Sequence, residues 1–377
     1  MRLKALLASL LLLLPLSFNA FAQNRLSDQA KITLLTCGPG EELYSVFGHT
    51  AIRIFDPING IDVVCNYGTF DFNTPNFYLK FVKGDLQYML STSSYEDFVY
   101  TYKYYNRDVF EQELNLTTAQ KQQIATELQE TLQSDKRFYT YKFIDRNCTT
   151  MAGDLINKYA PNKISMENSD KGKTNRRIIF ERLNNSFYES LGINLLFGYK
   201  TDKEMDRLFL PDQLMQGLAN TKTADGHLAQ PAITIYKSTA EKRISVWNNF
   251  YTYAALCLLL MITASRKALV RRSYLAITGL LGLLFCFMGM ISLHSELLQN
   301  YNALLFNPFF LVLLVFIFTK KQKAAIATSY ICLVCIAIYL GLMVNKPHLI
   351  MMLPLIAVTV VVLLKVLKDV RQSNVKI

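Results

Sequence analysis

Long apolar runs occupy the C-terminal part of the chain, and they constrain its fold more than any other feature. The runs cover residues 247–264, 273–293, 303–319, 324–344 and 349–367. A helix needs about 20 apolar residues to cross the hydrocarbon core of a bilayer, and each run meets or nearly meets that length. The sequence therefore predicts an all-α bundle of about five transmembrane helices within residues 243–377.

The charges between these runs predict how the bundle is oriented. Lys and Arg cluster at residues 266–272, 320–323 and 365–376, whereas the intervening loops carry almost no positive charge. Cytoplasmic loops of membrane proteins carry the excess of Lys and Arg. The same clusters contribute to the formal net charge of +11, which in a soluble protein would suggest a nucleic-acid partner. We therefore expect a cytoplasmic C-terminus and no nucleic-acid partner.

The N-terminus has the pattern of a secretory signal peptide over residues 1–22. Arg2 and Lys4 precede a short apolar run, and Ala20 and Ala22 form a small-x-small cleavage site before Gln23. The alternative is an uncleaved anchor helix, for which the apolar run is short. Residues 23–242 are then expected to form one extracytoplasmic domain of a multi-pass membrane protein.

The exported domain carries mixed α and β signals. Residues 32–36, 50–55 and 61–67 are rich in apolar and β-branched side chains and are predicted to be strands. Thr117 and Gln120 have the spacing of a capping box at the start of a helix that runs to about residue 134. Residues 145–148 supply cap candidates for another helix, which ends before Pro161.

Cys148 is the candidate nucleophile. The exported domain has three cysteines, and an odd number in an oxidising compartment leaves at least one thiol unpaired within the chain. Cys37 and Cys65 lie near neighbouring predicted strands, so a bridge between them is conceivable. Cys148 lies in the first turn of a predicted helix, where the helix dipole lowers the pKa of a thiol. The alternative is that Cys148 is a structural core residue.

His49 is the candidate base, because the other histidines lie outside the structured part of the exported domain. On a strand His49 shares a face with Ala51 and Arg53, while Ile52 and Ile54 point into the core. The histidine is then at the edge of the core and directed away from it. An imidazole in that position can take the proton of a thiol. The alternative is a histidine whose bonds are satisfied at a sheet edge.

Other side chains are candidates for supporting roles. A third group usually orients the imidazole of such a pair, and Asn66 is our first choice, with Asp62 as the alternative. The backbone N–H of the nucleophile would supply part of an oxyanion hole. Tyr44 and Tyr67 are candidate additional donors to the substrate.

The loop between the second and third apolar runs is polar and faces the exported domain. Its candidate substrate-binding residues are His294, Asn300 and Asn302, because polar groups near lipid depth usually serve function. The alternative is a solvated connector. Cys332 and Cys335 form a C-x-x-C pattern inside the fourth run, which we interpret as helix packing rather than a metal site. We expect no metal and no cofactor.

Several long motifs resemble those of the Lnb-type lipoprotein N-acyltransferases. They are FGHTAIRI (47–54), NYGTF (66–70), NFYLKFVKG (76–84), DRNCT (145–149), LGINLLFG (191–198) and FLP (209–211). The apolar tail and the loop at 300–308 look similar as well. The order of histidine before cysteine also resembles circularly permuted NlpC/P60-like enzymes, including the lecithin:retinol acyltransferase group.

The resemblance implies an α+β, permuted papain-like domain in which Cys148 carries an acyl group and His49 is the base. It implies a membrane phospholipid as acyl donor and the free α-amine of a diacylated lipoprotein as acceptor. The third catalytic residue does not carry over from the family. Two other functions stay open at this point: a membrane-anchored cysteine peptidase or amidase acting on the cell wall, and a non-enzymatic membrane scaffold.

Overall fold

The computed structural model describes residues 25–42, 44–184, 186–239 and 245–372. The expected signal peptide lies outside the described residues. The chain forms an N-terminal α/β domain built on a sheet, followed by a helical region made of apolar helices. This is the division between the two halves that the apolar runs predicted.

An antiparallel sheet of seven strands lies at the centre of the N-terminal domain, in the order β6-β4-β3-β2-β1-β5-β9. The three strands predicted from β-branched residues are central in it, and they are confirmed. A separate short hairpin consists of β7 and β8. The strands are β1 (Lys31–Cys37), β2 (His49–Asp56), β3 (Ile61–Thr69), β4 (Gln87–Ser94), β5 (Val109–Glu113), β6 (Phe138–Thr140), β7 (Lys222–Thr223), β8 (Gly226–His227) and β9 (Ile233–Tyr236).

The helices of this domain are α1 (Phe77–Lys83), α2 (Tyr95–Tyr104), α3 (Thr118–Leu132), α4 (Cys148–Tyr159), α5 (Asn175–Arg182), α6 (Phe187–Leu196) and α7 (Pro211–Asn220). Both predicted helix starts are confirmed. Thr117 and Gln120 form a reciprocal capping box at the start of α3. Helix α4 begins at Cys148 and ends at Tyr159, two residues before the proline that prevents its continuation.

The sheet buries apolar side chains on both of its faces. Ile52 and Ile54 lie in the main core together with residues of α3, α4 and α7, as the strand alternation predicted. Ala51, on the opposite face, lies in a second core with Phe98 and Val99 of α2. The face of β2 that carries His49 points away from the main core, as predicted, but α2 covers that face with a second core that the sequence did not reveal.

Cys37 and Cys65 are free, buried thiols, so the bridge considered from the sequence is not formed. Strand β2 lies between β1 and β3, which carry the two cysteines. Strands two apart in a sheet are about 9.6 Å from each other. The Cα atoms of a disulfide are usually less than about 7 Å apart. Moreover, Cys37 faces the second core and Cys65 faces the main core.

The helical region consists of α8 (Phe250–Arg266), α9 (Ala268–Ile291), α10 (Phe309–Phe318), α11 (Gln322–Met343) and α12 (Leu349–Gln372). By length and composition, four described stretches can cross a membrane, and α8 is apolar but shorter, with 17 residues. The second of these stretches, Ser295–Phe318, begins with two 3-10 turns, so its regular helix starts later than predicted. Pro308 lies at that start, where its missing N–H costs no helical hydrogen bond.

A buried ion cluster joins the two halves. Arg176 of α5 pairs with Asp202 at 2.7 Å, and it donates to the backbone carbonyls of Phe197 and Gly198 at 2.8 Å each. Lys346, from the loop between α11 and α12, lies 2.9 Å from the same carboxylate. Removing one partner from a buried ion pair leaves an uncompensated charge, so this cluster opposes separation of the halves.

Candidate active site

Cys148 is the first residue of α4, and its position is fixed by the residue before it. Asn147 is the N-cap, and its side-chain oxygen accepts the backbone N–H groups of Thr149 and Thr150 at 2.9 Å each. These two bonds satisfy orphan donors of the first helical turn. The backbone N–H of Cys148 lies at the same helix end, and the side chain of Asn147 does not bond to it.

The amide nitrogen of Asn147 anchors this cap to the rest of the domain. It donates to the carbonyl of Phe143 at 2.6 Å and to that of Phe209 at 2.8 Å. Asn147 is buried, and all of its hydrogen-bonding capacity is directed at these neighbours. These hydrogen bonds fix the position of Asn147, and therefore that of Cys148, the next residue in the chain.

The side chains of Cys148 and His49 converge on one point. A hydrogen bond of 3.0 Å between the hydroxyls of Thr50 and Thr149 joins the start of β2 to the start of α4. A Cβ atom added to Gly68 would lie 3.7 Å from Cβ of Cys148 and 4.0 Å from Cε1 of His49. The backbone at this glycine has φ +98°, which L side chains rarely adopt.

The surroundings of Cys148 favour its thiolate. Burial raises the pKa of this thiol, but the charge of His49, a hydrogen bond from His49 and one from the backbone N–H of Thr50 outweigh burial, so the pKa lies below its ordinary value. Burial raises the pKa of Cys65 to about 12, and burial also raises that of Cys37. Of the three cysteines in this domain, Cys148 is the one whose environment prepares it as a nucleophile.

Asn66 is the third member of this constellation. Its side-chain oxygen lies 3.3 Å from Nε2 of His49. A proton on Nε2 donates to this oxygen and leaves Nδ1 free to accept a proton. Asp62, the alternative from the sequence, instead makes two hydrogen bonds of 2.7 and 2.8 Å with the guanidinium of Arg53. The structure thus brings Asn66 to the imidazole and commits Asp62 elsewhere.

A cavity of about 280 Å³ lies next to His49 and Asn66, on the side of the sheet that α2 covers. The imidazole ring lies parallel to the ring of Tyr102 of α2, with 6.4 Å between centroids. Among the described residues, no three His, Cys, Asp or Glu side chains lie close enough together to hold a metal ion. The hydroxyl-bearing residues that line the cavity are Thr69, Ser91, Thr92, Ser93, Thr101 and Tyr102.

Two family models match the chain. The model of the Lnb N-terminal periplasmic domain matches residues 17–181, and that of the Lnb transmembrane domain matches residues 243–373.

The chain belongs to the Lnb family. Its N-terminal domain is accordingly a periplasmic domain, and the apolar helices make it a membrane protein. No curated protein and no solved structure shows significant similarity to it. The resemblance inferred from the motifs is confirmed, and His49, Asn66 and Cys148 all lie within the first match.

We expect the Asn66→Ala variant of this Lnb family member to lower the reactivity of Cys148. Losing one hydrogen bond of ordinary strength, about 1 kcal/mol, leaves the imidazole free to rotate and slows alkylation of the thiol near neutral pH about fivefold. Mass spectrometry of the Cys148 peptide measures the rate. The control is Asp62→Asn, which weakens the pair with Arg53 and leaves the rate unchanged. Equal rates in the two variants would assign the orienting role to neither residue.

The two tyrosines predicted as substrate donors lie elsewhere. Tyr67 is in the main core, with its ring 6.2 Å from that of Tyr139. This correction follows from strand alternation: Asn66 faces the imidazole, so its neighbour faces the opposite side of the sheet. Tyr44 is exposed and contacts the edge of Phe70 at 6.4 Å. Neither position supports a contribution to the oxyanion hole.

The predicted substrate-binding residues of the membrane loop connect the two halves instead. The amide groups of Asn300 and Asn302 both donate to the carbonyl of Leu195, at 2.8 and 3.0 Å. Asn302 is fully buried, which excludes a substrate contact in this structure. Nε2 of His294 lies 2.8 Å from the carbonyl oxygen of Phe81 in α1. The polar side chains of this loop therefore form hydrogen bonds with backbone carbonyl groups of the periplasmic domain.

The same loop contacts the segment that precedes Cys148, through residues that the sequence did not single out. A carboxylate oxygen of Glu296, which is buried, accepts the backbone N–H of Ile144 at 3.0 Å. The hydroxyl of Ser295 donates to Asp145 at 3.3 Å. The membrane half thus holds the backbone immediately before Cys148. The only signal in the sequence was the polarity of this loop between two apolar runs.

Proposed function

We propose that this protein is a lipoprotein N-acyltransferase. It moves an acyl chain from a membrane glycerolipid, through a thioester on Cys148, to the N-terminal amine of a diacylglyceryl-cysteine lipoprotein. The observation that carries the proposal is the convergence of a thiol of lowered pKa with the imidazole of His49, in a periplasmic domain of the Lnb family. The protein is then an enzyme with a Cys-His catalytic pair.

The arrangement of elements supports a permuted papain-like, NlpC/P60-like fold for the periplasmic domain. A cysteine at the N-terminus of a helix packs against an antiparallel sheet that carries the histidine. The histidine strand comes before the cysteine helix in the chain, which is the permuted order. Papain-like enzymes use this pair for acyl transfer.

In the first step the Cys148 thiolate attacks the carbonyl carbon of a lipid ester. A C–S bond forms, the ester C–O bond breaks, and His49 gives its proton to the departing alkoxide. The backbone N–H at the start of α4 stabilises the oxyanion, because the cap leaves it unused and the helix dipole favours negative charge there. The products are a thioester and a lysolipid.

In the second step the lipoprotein amine attacks the thioester. An amide C–N bond forms, the C–S bond breaks, and His49 takes the proton that the amine loses. The thiolate returns to its initial state, so the cycle needs no further reactant. The Ser- and Thr-lined cavity next to His49 suits the polar N-terminal peptide of the acceptor. Water competes with the amine, and exclusion of water by lipid suppresses hydrolysis.

In this proposal both substrates meet the site in the plane of one membrane. The basic loops and tail support an inner-membrane topology with a cytoplasmic C-terminus, which leaves the periplasmic domain against the outer leaflet. Confinement of the donor phospholipid and the acceptor lipoprotein to the same leaflet raises their effective concentration. The bonds from Ser295 and Glu296 fix the catalytic segment relative to the bundle.

Intact-mass measurement on the purified full chain tests the proposal. We expect a fatty acyl adduct on Cys148 when the protein is given vesicles of an ester-linked phospholipid. A diether phospholipid of the same headgroup is the control, because it has no ester carbonyl to attack. Absence of the adduct, together with release of muropeptides from purified cell wall, would favour the peptidase or amidase instead.

A further inference from the structure

Helix α1 exposes an apolar surface that no other element of the described chain covers. None of its seven residues is buried, and Tyr78, Leu79 and Val82 are all exposed, Leu79 to 68%. Large exposed apolar patches on folded proteins usually mark interaction sites with partners or membranes. The segment belongs to a family motif, but neither the catalytic pair nor the junction between the halves uses these side chains.

The end of the apolar helix α9 fixes the position of α1 relative to the membrane surface. Helix α9 ends at Ile291, and the residues that follow it bond to the last turn of α1. The backbone N–H of Leu293 donates to the carbonyl of Lys83 at 2.7 Å, and Nε2 of His294 bonds that of Phe81 at 2.8 Å. These contacts place α1 at the level where the apolar span meets the periplasm.

Gly84 makes this close approach possible. Its φ is +80°, and a Cβ atom at this position would lie only 2.8 Å from the backbone nitrogen of His294. A larger residue would clash with backbone that cannot move aside, so the helix end and the span end fit together only with glycine here. The docking of α1 on α9 is thus part of the fold.

Apolar and charged side chains around α1 match a lipid surface. Phe287 and Met290 near the end of α9, and Leu293 just after it, are exposed, so the lipid-facing surface of the span continues toward α1. Lys80 and Lys83 lie in the last turn of α1, and Lys83 also pairs with Asp85 at 2.6 Å. Lysines next to a half-inserted apolar helix place their stems along lipid and their ammonium groups at headgroup phosphates.

Aromatic rings connect α1 to the neighbourhood of the nucleophile. Successive ring centroids lie 5.8 Å apart from Phe77 to Phe70, 5.2 Å from Phe70 to Tyr88, and 4.6 Å from Tyr88 to Tyr141. Burial and then the charge of Cys148 raise the pKa of Tyr141, as expected for a phenol close to the thiol. The rings form a continuous aromatic wall that leads from the exposed helix toward the site.

We infer that α1 inserts its exposed apolar face into the outer leaflet of the membrane and delivers the acyl chain of a glycerolipid along this aromatic wall to Cys148. The occupant of the surface is the lipid of the bilayer that the bundle spans. The delivery step rests on the proposed function, whereas the insertion step does not. Two measurements therefore separate them.

Fluorescence quenching tests insertion in the full chain reconstituted into vesicles. Trp247 is the sole tryptophan, so Leu79→Trp and Ile58→Trp are each made in a Trp247→Phe background. Ile58 is a matched control: it is exposed to 64%, and it lies in the turn at the end of β2 opposite His49. Phosphatidylcholine brominated in its upper acyl chain should quench the first variant strongly and the second hardly at all. Equal quenching overturns the proposal.

Acyl-adduct formation tests delivery. In the double variant Leu79→Ser, Val82→Ser, the rate of adduct formation from ester phospholipid vesicles should fall about tenfold or more. Each inserted apolar side chain contributes to the free energy of membrane contact, and serine does not. Ile58→Ser should match the unmodified protein. Equal rates in the two variants overturn delivery along α1.

Alkylation of Cys148 by a small soluble reagent reports whether the site itself is intact. If alkylation also slows in the double variant, the loss of adduct reflects a disturbed fold and not a loss of lipid contact. Quenching of the Leu79→Trp variant then tests the membrane contact of α1 by itself. If the Leu79→Trp variant is quenched but the unmodified protein never forms an adduct, the proposed function fails and the membrane contact of α1 stands.

Discussion

The Cys148→Ala variant is expected to leave lipoproteins diacylated in cells that have no other N-acylating enzyme. Removing the nucleophile removes the thioester and, with it, the only proposed path from donor to acceptor. Loss of a covalent nucleophile commonly costs several orders of magnitude in rate, at least about 10⁴-fold. Mass spectrometry of lipoprotein N-termini measures the triacylated fraction, which should fall to background.

Cys286→Ala is the matched control for this experiment. Cys286 is an exposed thiol on α9, a helix of the membrane half, and its removal should leave triacylation unchanged. Membrane insertion of both variants is checked by fractionation. Cys148→Ser keeps the shape of the side chain and should also be nearly inactive, because a hydroxyl is a far weaker nucleophile near neutral pH. Undiminished triacylation in Cys148→Ala rules out the thioester mechanism.

The positions of the two reactive groups in their elements were predictable from local sequence. Cys148 follows an asparagine cap and precedes a proline stop, which together define a helix and put the thiol in its first turn. His49 begins a strand of β-branched residues. These signals involve only near neighbours in the chain, and for that reason they can be read without a structure.

The meeting of those two groups was a hypothesis that required the structure. The contact between Thr50 and Thr149, which joins the two elements, spans 99 residues. Periodicity and capping contain no information on such a pairing. The sequence favoured Asn66 and kept Asp62 as the alternative, and the structure brings Asn66 to His49 while Asp62 pairs with Arg53.

The functions of the membrane loop were the least predictable part. A polar loop between apolar runs indicates that some of its residues bond to the exported domain, but not which ones. Asn302 is buried against backbone carbonyls, whereas Glu296 reaches the segment before Cys148. The choice depends on which backbone groups the periplasmic domain leaves unpaired at the junction, and that is settled only by tertiary packing.

The His49→Ala variant should shift the reactivity of Cys148 to higher pH. The imidazole lowers the pKa of this thiol by its charge and by a hydrogen bond, although burial alone would raise it. Without the imidazole the pKa rises, so the thiol stays protonated over a range where the native protein has a thiolate. Within that range alkylation slows about tenfold for each unit of the rise. At still higher pH both proteins are fully ionised and the rates converge.

Acyl transfer in the same variant should not recover at high pH. His49 is proposed to protonate the leaving alkoxide and to deprotonate the incoming amine, and general acid–base catalysis of this kind contributes about 10²–10⁴-fold. A base in solution restores the thiolate but supplies neither positioned proton transfer. His227→Ala is the control, since His227 is exposed on β8. If alkylation profiles of His49→Ala and the native protein coincide, Cys148 is not activated by His49, and a structural thiol in a membrane scaffold becomes the better account. If acyl transfer recovers together with alkylation, His49 only tunes the thiol and another group moves the protons.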